Sequence, residues 1–407
     1  MEYLTDFSSL KYYKYSSIDK SPLSKYVLNP YYWTPLANHL PVWLHANLVT
    51  LFGLLSIIIL LVVIIILDEM DGQLTWLSYA CASAIWFYST MDNLDGKQAR
   101  RTKTSSPLGE LVDHGCDAVQ CCFGGLVQAA GMGLGYSYYT IWVIGIASVP
   151  FYFSSWEEFY TKTLYLGVVN GPTEGLLLGS LCSLVSAIWG PQVYFTPLSV
   201  IHKHPIWSSL IYPLELGTTT ILEYAHIEKD LVLLDVLVFA MGLAVFVNHV
   251  PACIYHVYKT PHRKESMPSA LFKAYPIFLY IASGFLICST DFFWNKNVFW
   301  ILTLSSTLSF GVYTTQVILA YIVDKHYPSP SALWSLFSLS LFIKYSDYNY
   351  NELLLVCNIY MTFFTVYYIY FIDSIFSAFC TFLKMSWYKV PLENQKQLLN
   401  EIEMKNK

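Results

Sequence analysis

Long apolar runs constrain the fold of this chain more than any other feature of its sequence. Ten of them meet or approach the roughly 20 residues that a helix needs to cross a bilayer core about 30 Å thick. They fall near residues 47–67, 73–94, 111–134, 139–155, 173–191, 231–256, 268–289, 297–323, 331–344 and 352–383. The pattern predicts an all-α, polytopic helical membrane protein with about ten transmembrane helices. The run at 331–344 is the weakest, so eight or nine spans are the alternative.

Composition agrees with a membrane protein and argues against several other classes. Of the 407 residues, 55% are hydrophobic and only 13% are charged, about half the charged fraction of an ordinary soluble chain. A net charge of −5 offers no basic stripe for nucleic-acid phosphates, so we expect no nucleic-acid partner. The nine cysteines lie almost entirely inside apolar runs, where they are typical small hydrophobic residues rather than a disulfide framework.

The distribution of lysine and arginine predicts how the chain is oriented. With the N-terminus in the cytosol, most of the 23 basic residues fall on the cytosolic side of the membrane. Both termini are therefore expected in the cytosol, and residues 192–230 are expected to form a loop on the opposite side. We divide the chain into an interfacial N-terminal segment (1–46), a six-helix core (47–256), additional C-terminal spans (257–383) and a cytosolic tail (384–407).

Charge is scarce in this chain, and its concentration between residues 92 and 117 is the most informative polar feature. Asp92 and Asp95 lie three residues apart at the end of the second apolar run. Asp113 and Asp117 lie four residues apart at the start of the third run. Either spacing puts a pair of side chains on one face of a helix. Because the intervening loop is short, the two helices should be antiparallel neighbours and the four carboxylates should converge.

Four crowded carboxylates at a membrane edge repel one another and are costly to desolvate unless protons or cations neutralise them. Ligand sets made only of oxygen favour hard divalent ions such as Mg²⁺, Mn²⁺ or Ca²⁺. Two such ions can bridge a pyrophosphate and stabilise the attacking and leaving oxygens. Gly96 would let a substrate approach the backbone closely, while Arg100 and Lys103 would offer cations to phosphate oxygens.

The spacing of these residues resembles the signature of the CDP-alcohol phosphotransferase family, D-x2-D-G-x2-A-R-x8-G-x3-D-x3-D. Every specified position is met, by Asp92, Asp95, Gly96, Ala99, Arg100, Gly109, Asp113 and Asp117. The surrounding sequence is similar to the eukaryotic choline/ethanolamine phosphotransferase branch, in a fungal-like form. Three further segments carry this similarity: Asn47-Leu48-Val49-Thr50, where Ala46 replaces the usual preceding proline, Trp156-Glu157-Glu158-Phe159, and Asn170-Gly171-Pro172-Thr173-Glu174-Gly175.

The resemblance implies the fold of that family and a specific reaction. Phosphocholine or phosphoethanolamine would pass from CDP-choline or CDP-ethanolamine to sn-1,2-diacylglycerol, with release of CMP. The implied ligands of two Mg²⁺ or Mn²⁺ ions are Asp92, Asp95, Asp113 and Asp117, and the implied lining of the CDP pocket is Asn47, Gly96 and Arg100. A homodimer in the endoplasmic reticulum or Golgi membrane, with its active site facing the cytosol, is also implied.

The base that accepts the proton of the lipid hydroxyl has three candidates. Asp117 is the base proposed for the family in general, whereas a histidine at the position of His114 is special to the choline/ethanolamine branch. Glu110 lies one helical turn before His114 and could orient it or bind metal. We favour His114 because an imidazole titrates near neutrality.

Recognition of the alcohol headgroup and the choice of reaction have alternatives as well. Choline has no hydrogen-bond donor and needs aromatic faces or carboxylates, for which Tyr152, Trp156, Glu157 and Tyr160 are candidates by position. An interfacial aromatic belt is the other interpretation of these residues. Related enzymes with inositol or glycerophosphate acceptors are shorter, and a polytopic transporter would predict internal symmetry that this sequence lacks.

Overall fold

The computed structural model describes residues 7–201, 212, 215–220, 230–261 and 265–405. The α-helices in these ranges are α1 (Thr34–His39), α2 (Ala46–Leu67), α3 (Thr75–Arg101), α4 (Pro107–Met132), α5 (Tyr138–Thr161), α6 (Leu176–Trp189), α7 (Leu198–Ile201), α8 (Leu233–Leu243), α9 (Val250–Lys259), α10 (Met267–Phe272), α11 (Pro276–Cys288), α12 (Lys296–Ile322), α13 (Ser331–Tyr345), α14 (Tyr350–Leu383) and α15 (Leu392–Lys405). Most of the loop predicted over residues 192–230 lies outside the described ranges.

Shorter elements complete the chain between these helices. Wider π-type turns occupy Ser24–Trp33, Gly171–Gly175 and Ala244–His249, and tighter 3₁₀ turns occupy Ser8–Tyr12, Pro191–Phe195 and Asp291–Trp294. Two three-residue strands, β1 (Ser17–Asp19) and β2 (Leu164–Leu166), pair in parallel. This pairing ties the N-terminal segment to the residues that follow α5.

All ten apolar runs of the sequence fall in helices, which confirms an all-α membrane protein. In the described ranges, six helical stretches are long and apolar enough to cross a bilayer: Ala46–Leu67, Gly171–Trp189, Leu233–Lys259, Met267–Cys288, Lys296–Ile322 and Tyr350–Leu383. The predicted number of ten spans is therefore not confirmed. Helices α3 and α4 have sufficient length but carry the charged signature residues, and α13, with 15 residues, extends only about 22 Å at 1.5 Å per residue.

The α3–α4 connection is short because each helix has a defined end there. Helix α4 begins at Pro107, a residue suited to the first turn, and the Ser106 hydroxyl accepts the Gly109 N–H at 3.0 Å. Lys103, just after α3, takes a left-handed backbone with φ of 55° and reverses the chain. Helices α3 and α4 consequently run antiparallel as neighbours, as the sequence predicts.

Helix α4 lies at the centre of the bundle. It packs against α2, α3, α5 and α6, and also against α12 from the C-terminal half. In its apolar window α12 is 83% buried, whereas α14 is only 17% buried. The C-terminal half therefore contributes an interior helix, while α14 leaves most of its surface free to face lipid.

The N-terminal segment and the C-terminal tail lie at the same end of the bundle. The Ser9 hydroxyl donates to the Val323 carbonyl at 2.8 Å, and the Asn394 amide donates to the Thr102 carbonyl at 3.0 Å.

A separate network closes the opposite end, where the Tyr136 hydroxyl donates to the Asp68 carboxylate at 2.6 Å. The Lys296 ammonium, bonded to the same carboxylate together with Tyr136, lowers the pKa of Asp68.

Close helix packing around Gly131 generates a stability prediction. A Cβ added at this position would lie 2.7 Å from the Cβ of Cys81 and would press against Ser183, both on neighbouring helices. Gly131→Ala should therefore lower the free energy of unfolding by about 1–3 kcal/mol through overpacking. Thermal unfolding of the detergent-purified protein measures the change.

Gly145→Ala is the matched control, since a Cβ at Gly145 meets nothing within 4 Å. Its expected effect is a gain of about 0.5–1 kcal/mol from helix propensity. Equal melting temperatures for the two variants would show that α3, α4 and α6 do not approach as closely as described.

Candidate active site

A cavity of about 550 Å³ opens at the end of the bundle where the N-terminal segment meets the α3–α4 loop. Its walls come from the start of α2, the end of α3 and the start of α4, while β1 and β2 close the remaining side. Most residues predicted from the sequence line it: Asn47, Asp92, Asp95, Gly96, Arg100, Glu110, Asp113, His114 and Asp117. The antiparallel turn between α3 and α4 is what brings these side chains together.

Three signature aspartates form the first cluster in the cavity. Asp92, Asp113 and Asp117 each offer a carboxylate oxygen within 4.8 Å of the others. The Tyr88 hydroxyl donates to Asp117, whereas Asp113 Oδ1 is buried with no hydrogen-bond partner among the described residues. Converging oxygens, one of them buried and unsatisfied, suit a hard divalent cation. The residues present therefore fit the predicted Mg²⁺ or Mn²⁺ chemistry.

The fourth aspartate is fixed by contacts of its own. Asp95 is buried, and its Oδ2 accepts a hydrogen bond from the Thr50 hydroxyl of α2 at 2.5 Å. The N–H of Gly96 donates to the other oxygen. Helix α2 thereby orients a carboxylate of α3. Hydrogen bonds of this kind, made to the ligands of a cation site, affect how tightly the site binds its ion.

A second cluster contains His114, Glu110 and Glu158, whose ligand atoms also lie within 4.8 Å of one another. His114 Nδ1 is 3.5 Å from Glu158 Oε2, and the Tyr13 hydroxyl donates to Glu110. The sequence did not single out Glu158. Two signals were available, the acidic pair Glu157-Glu158 in an otherwise apolar helix and the resemblance of Trp156-Glu157-Glu158-Phe159 to the family. The position-based prediction chose Glu157.

Glu157 and the aromatic residues near it do not line the cavity. Glu157 instead contacts His256 Nδ1 of α9. The Trp156 indole N–H donates to the Ala270 carbonyl at 3.0 Å, and the Tyr152 hydroxyl lies 3.0 Å from that of Tyr327. Their predicted role in headgroup recognition is not supported, because these side chains pack inside the bundle.

The cavity wall beyond the four signature aspartates also carries amide and guanidinium groups. Asn47 Nδ2 donates to the Trp387 carbonyl at 2.9 Å, which anchors the tail beside the cavity. A Cβ on Gly96 would lie 3.5 Å from the Arg100 guanidinium, so the missing side chain leaves the space before Arg100 open.

Lys103 is placed differently from the other predicted site residues. It does not line the cavity, and its ammonium pairs with Glu401 of the tail helix at 3.1 Å, where both side chains are exposed. Its predicted contact with phosphate stays a prediction.

Tyr15 of the N-terminal segment lines the open cavity, where it is 43% exposed. Its ring centroid lies 6.3 Å from that of His114. Burial raises the pKa of the Tyr15 phenol, and the negative charges of Asp113, Glu158 and Asp92 act in the same direction. Tyr15 therefore stays a neutral phenol amid the acids.

The fold and this cavity define a multi-pass helical membrane protein with an oxygen-rich cation site at one end of the bundle. The sequence profile described as CDP-alcohol phosphatidyltransferase matches residues 43–160. The chain is 34% identical to choline/ethanolaminephosphotransferase 1 of Arabidopsis thaliana, over 78% of each chain. It is 30% identical to choline/ethanolaminephosphotransferase 1 of Saccharomyces cerevisiae, over 79% of this chain and 78% of that protein. Cholinephosphotransferase 1 of the same yeast is also 30% identical, over 80% and 79% respectively.

The chain therefore belongs to the CDP-alcohol phosphatidyltransferase family. This confirms the resemblance that its motifs carry.

The hydrogen bond from Thr50 to Asp95 generates a prediction about metal binding. Thr50→Val removes the hydroxyl with little change in shape, so the Asp95 carboxylate loses the donor that fixes it. If Asp95 helps to hold a cation, as the sequence predicts, binding should weaken. We expect about a tenfold or larger increase in the Mn²⁺ concentration that gives half of the maximal thermal stabilisation. Titration of the melting temperature with Mn²⁺ measures it without any need for turnover.

Thr50→Ser should bind Mn²⁺ as the parent does, because it keeps the donor. Ser56→Ala on the same helix is a further control, since among the described residues the Ser56 hydroxyl bonds only to the Gly53 carbonyl. An unchanged Mn²⁺ response in Thr50→Val would contradict the assignment of Asp95 as an oriented ligand.

Proposed function

We propose that this enzyme transfers phosphocholine or phosphoethanolamine from CDP-choline or CDP-ethanolamine to sn-1,2-diacylglycerol, giving the phospholipid and CMP. The observation that carries the proposal is the meeting of two clusters in one cavity: three converging aspartates, and His114 held by Glu158. The names of the plant and yeast relatives support the same donor and reaction class.

The aspartates are assigned to the diphosphate of the donor. Asp92, Asp95, Asp113 and Asp117 would hold two Mg²⁺ or Mn²⁺ ions, which when bound supply positive charge to the diphosphate oxygens and to the leaving CMP. Beside them, the open space at Gly96 admits the diphosphate close to the backbone. The Arg100 guanidinium can then donate to phosphate oxygens in fixed geometry.

His114 is assigned as the base. Glu158 faces Nδ1 of the imidazole, which leaves Nε2 to accept the proton of the diacylglycerol hydroxyl as its oxygen attacks the β-phosphorus. Glu158 would also stabilise the imidazolium that forms. Glu110, bonded to Tyr13 in the same cluster, and Asp117, bonded to Tyr88, are the alternative bases.

The family also suggests where and how the enzyme works. We infer a homodimer in the endoplasmic reticulum or Golgi membrane, with the cavity and both termini facing the cytosol, where CDP-alcohols are made. The lysine and arginine bias supports this orientation. Residues 47–256 would form the catalytic core. The spans in 257–383 would shape the chamber for the acceptor lipid or the dimer contacts.

CMP release by the detergent-purified protein, with diacylglycerol and Mg²⁺, tests the reaction. We expect turnover with CDP-choline or CDP-ethanolamine only when diacylglycerol is present. Asp113→Ala should reduce it to background, and His114→Ala should lower kcat by about a hundredfold or more. Asp347→Ala removes an exposed carboxylate outside the cavity and should behave as the parent.

If His114→Ala turned over as fast as the parent, the general base would have to be Asp117 or Glu110 instead. Release of CMP from neither donor, despite metal-dependent binding of CDP, would direct the search to other alcohols, such as inositol or glycerophosphate. Absence of CDP binding would refute the proposed reaction.

A further inference from the structure

The second cluster places two buried carboxyl groups beside one imidazole. Glu158 is 2% exposed and Glu110 is 9% exposed, yet His114 is the single basic group of this cluster. Glu158 Oε1 is buried without a hydrogen-bond partner among the described residues, whereas Glu110 interacts with the hydroxyls of Tyr13 and Tyr321. Buried, unpaired carboxylate oxygens are costly, so this part of the cavity is suited to a cationic ligand.

Aromatic side chains from the N-terminal segment face the same cluster. The Tyr13 hydroxyl donates to Glu110, and the Tyr15 ring lies 6.3 Å from the His114 ring, centroid to centroid. Tyr13, Tyr15, Glu110 and His114 all line the cavity. A further aromatic residue, Tyr321 of α12, lies behind Tyr13 at a centroid distance of 6.1 Å.

The backbone that directly follows these tyrosines is fixed by strand pairing. The Leu164 N–H donates to the Ser16 carbonyl and the Lys20 N–H donates to the Leu166 carbonyl, each at 3.0 Å, which aligns β1 with β2. The Asn170 amide donates to Asp19 at 3.3 Å. Tyr13 and Tyr15 are thus held over the cavity by main-chain pairing rather than by their own side chains alone.

We propose that Tyr13, Tyr15 and Glu110, with Glu158 behind His114, form the subsite for the ammonium group of the CDP-alcohol. A quaternary ammonium has no hydrogen to donate, so aromatic faces and nearby negative charge are what can recognise it. A primary ammonium can in addition donate to Glu110 Oε1. The inference rests on the proposed function and specifies which residues of that cavity recognise the alcohol.

The alternative occupant of this cluster is a further divalent ion, because two carboxylates and one imidazole could bind one. The structure favours an ammonium group for two reasons. The Tyr13 hydroxyl already occupies one oxygen of Glu110, and the Tyr15 ring lies beside His114 in a T-shaped arrangement that brings an aromatic group, not another oxygen ligand, to the cluster. Hard divalent ions prefer six or more oxygen ligands and water to such surroundings.

The test compares CDP-choline with its neutral carbon isostere, CDP-3,3-dimethylbutanol, which has the same shape without the positive charge. The measured quantity is the ratio of kcat/KM for the two donors, with diacylglycerol and Mg²⁺ held constant. A general loss of catalysis lowers both values and cancels in this ratio, so the ratio reports recognition of charge alone.

We expect the parent enzyme to prefer the cationic donor, and Tyr15→Leu to lower that preference by about three- to thirtyfold. Tyr15→Phe keeps the π face and should keep the ratio. Glu110→Gln should lower the ratio as well, because the negative charge is lost. Tyr31→Leu is the control, since Tyr31 belongs to the same N-terminal segment, is 80% exposed and does not line the cavity.

Three results would overturn the subsite. Equal kcat/KM for the two donors in the parent would do so while leaving the proposed transferase intact. Parallel loss with both donors in Tyr15→Leu and Glu110→Gln would indicate catalytic or structural roles instead. An unchanged ratio in Glu110→Gln, with weaker activation by Mn²⁺, would assign the cluster to a metal ion. If neither donor released CMP, the proposed function itself would fail.

Discussion

Four aspartate carboxyl groups meet where little water can solvate them, so the surrounding structure must supply groups that neutralise them. Asp92, Asp95, Asp113 and Asp117 line one cavity at the junction of two helices that are otherwise packed in a membrane bundle. Their mutual repulsion opposes folding unless cations or donors compensate it. Donors arrive from neighbouring helices, as the hydroxyls of Thr50 and Tyr88 show. A cluster of acids that these donors neutralise only in part is prepared to bind metal, because binding removes the repulsion.

The same constraint explains which parts of the site could be predicted from the sequence. Helical spacing of three and four residues places each aspartate pair on one face, and a five-residue loop leaves α3 and α4 no choice but to be antiparallel neighbours. The acids and Arg100 are therefore readable from local spacing. The number of transmembrane helices was harder to predict from the sequence. Helices α3 and α4 are long enough to span the membrane but have charged ends, so the length of the apolar run does not show whether they span it.

Site residues that reach the cavity through long-range contacts could not be predicted from local spacing. Tyr13 and Tyr15 reach the cavity only because β1 pairs with β2 more than a hundred residues away, and short isolated strands leave little trace in a sequence of apolar helices. The aromatic residues of α5 were predicted to recognise the headgroup, because their height in the membrane was right. In the structure Trp156 and Tyr152 point into the helix packing instead, so their predicted role is not supported.

The two adjacent acids of α5 show how packing and chemistry depend on each other. Successive residues of a helix point about 100° apart, so Glu157 and Glu158 cannot face the same partner. Glu157 contacts His256 of α9, and Glu158 contacts His114 of α4. The two contacts lie on different sides of α5, and both agree with one rotation of that helix about its axis. The packing of α5 against α4, α9 and α12 therefore places Glu157 outside the cavity and Glu158 against the imidazole.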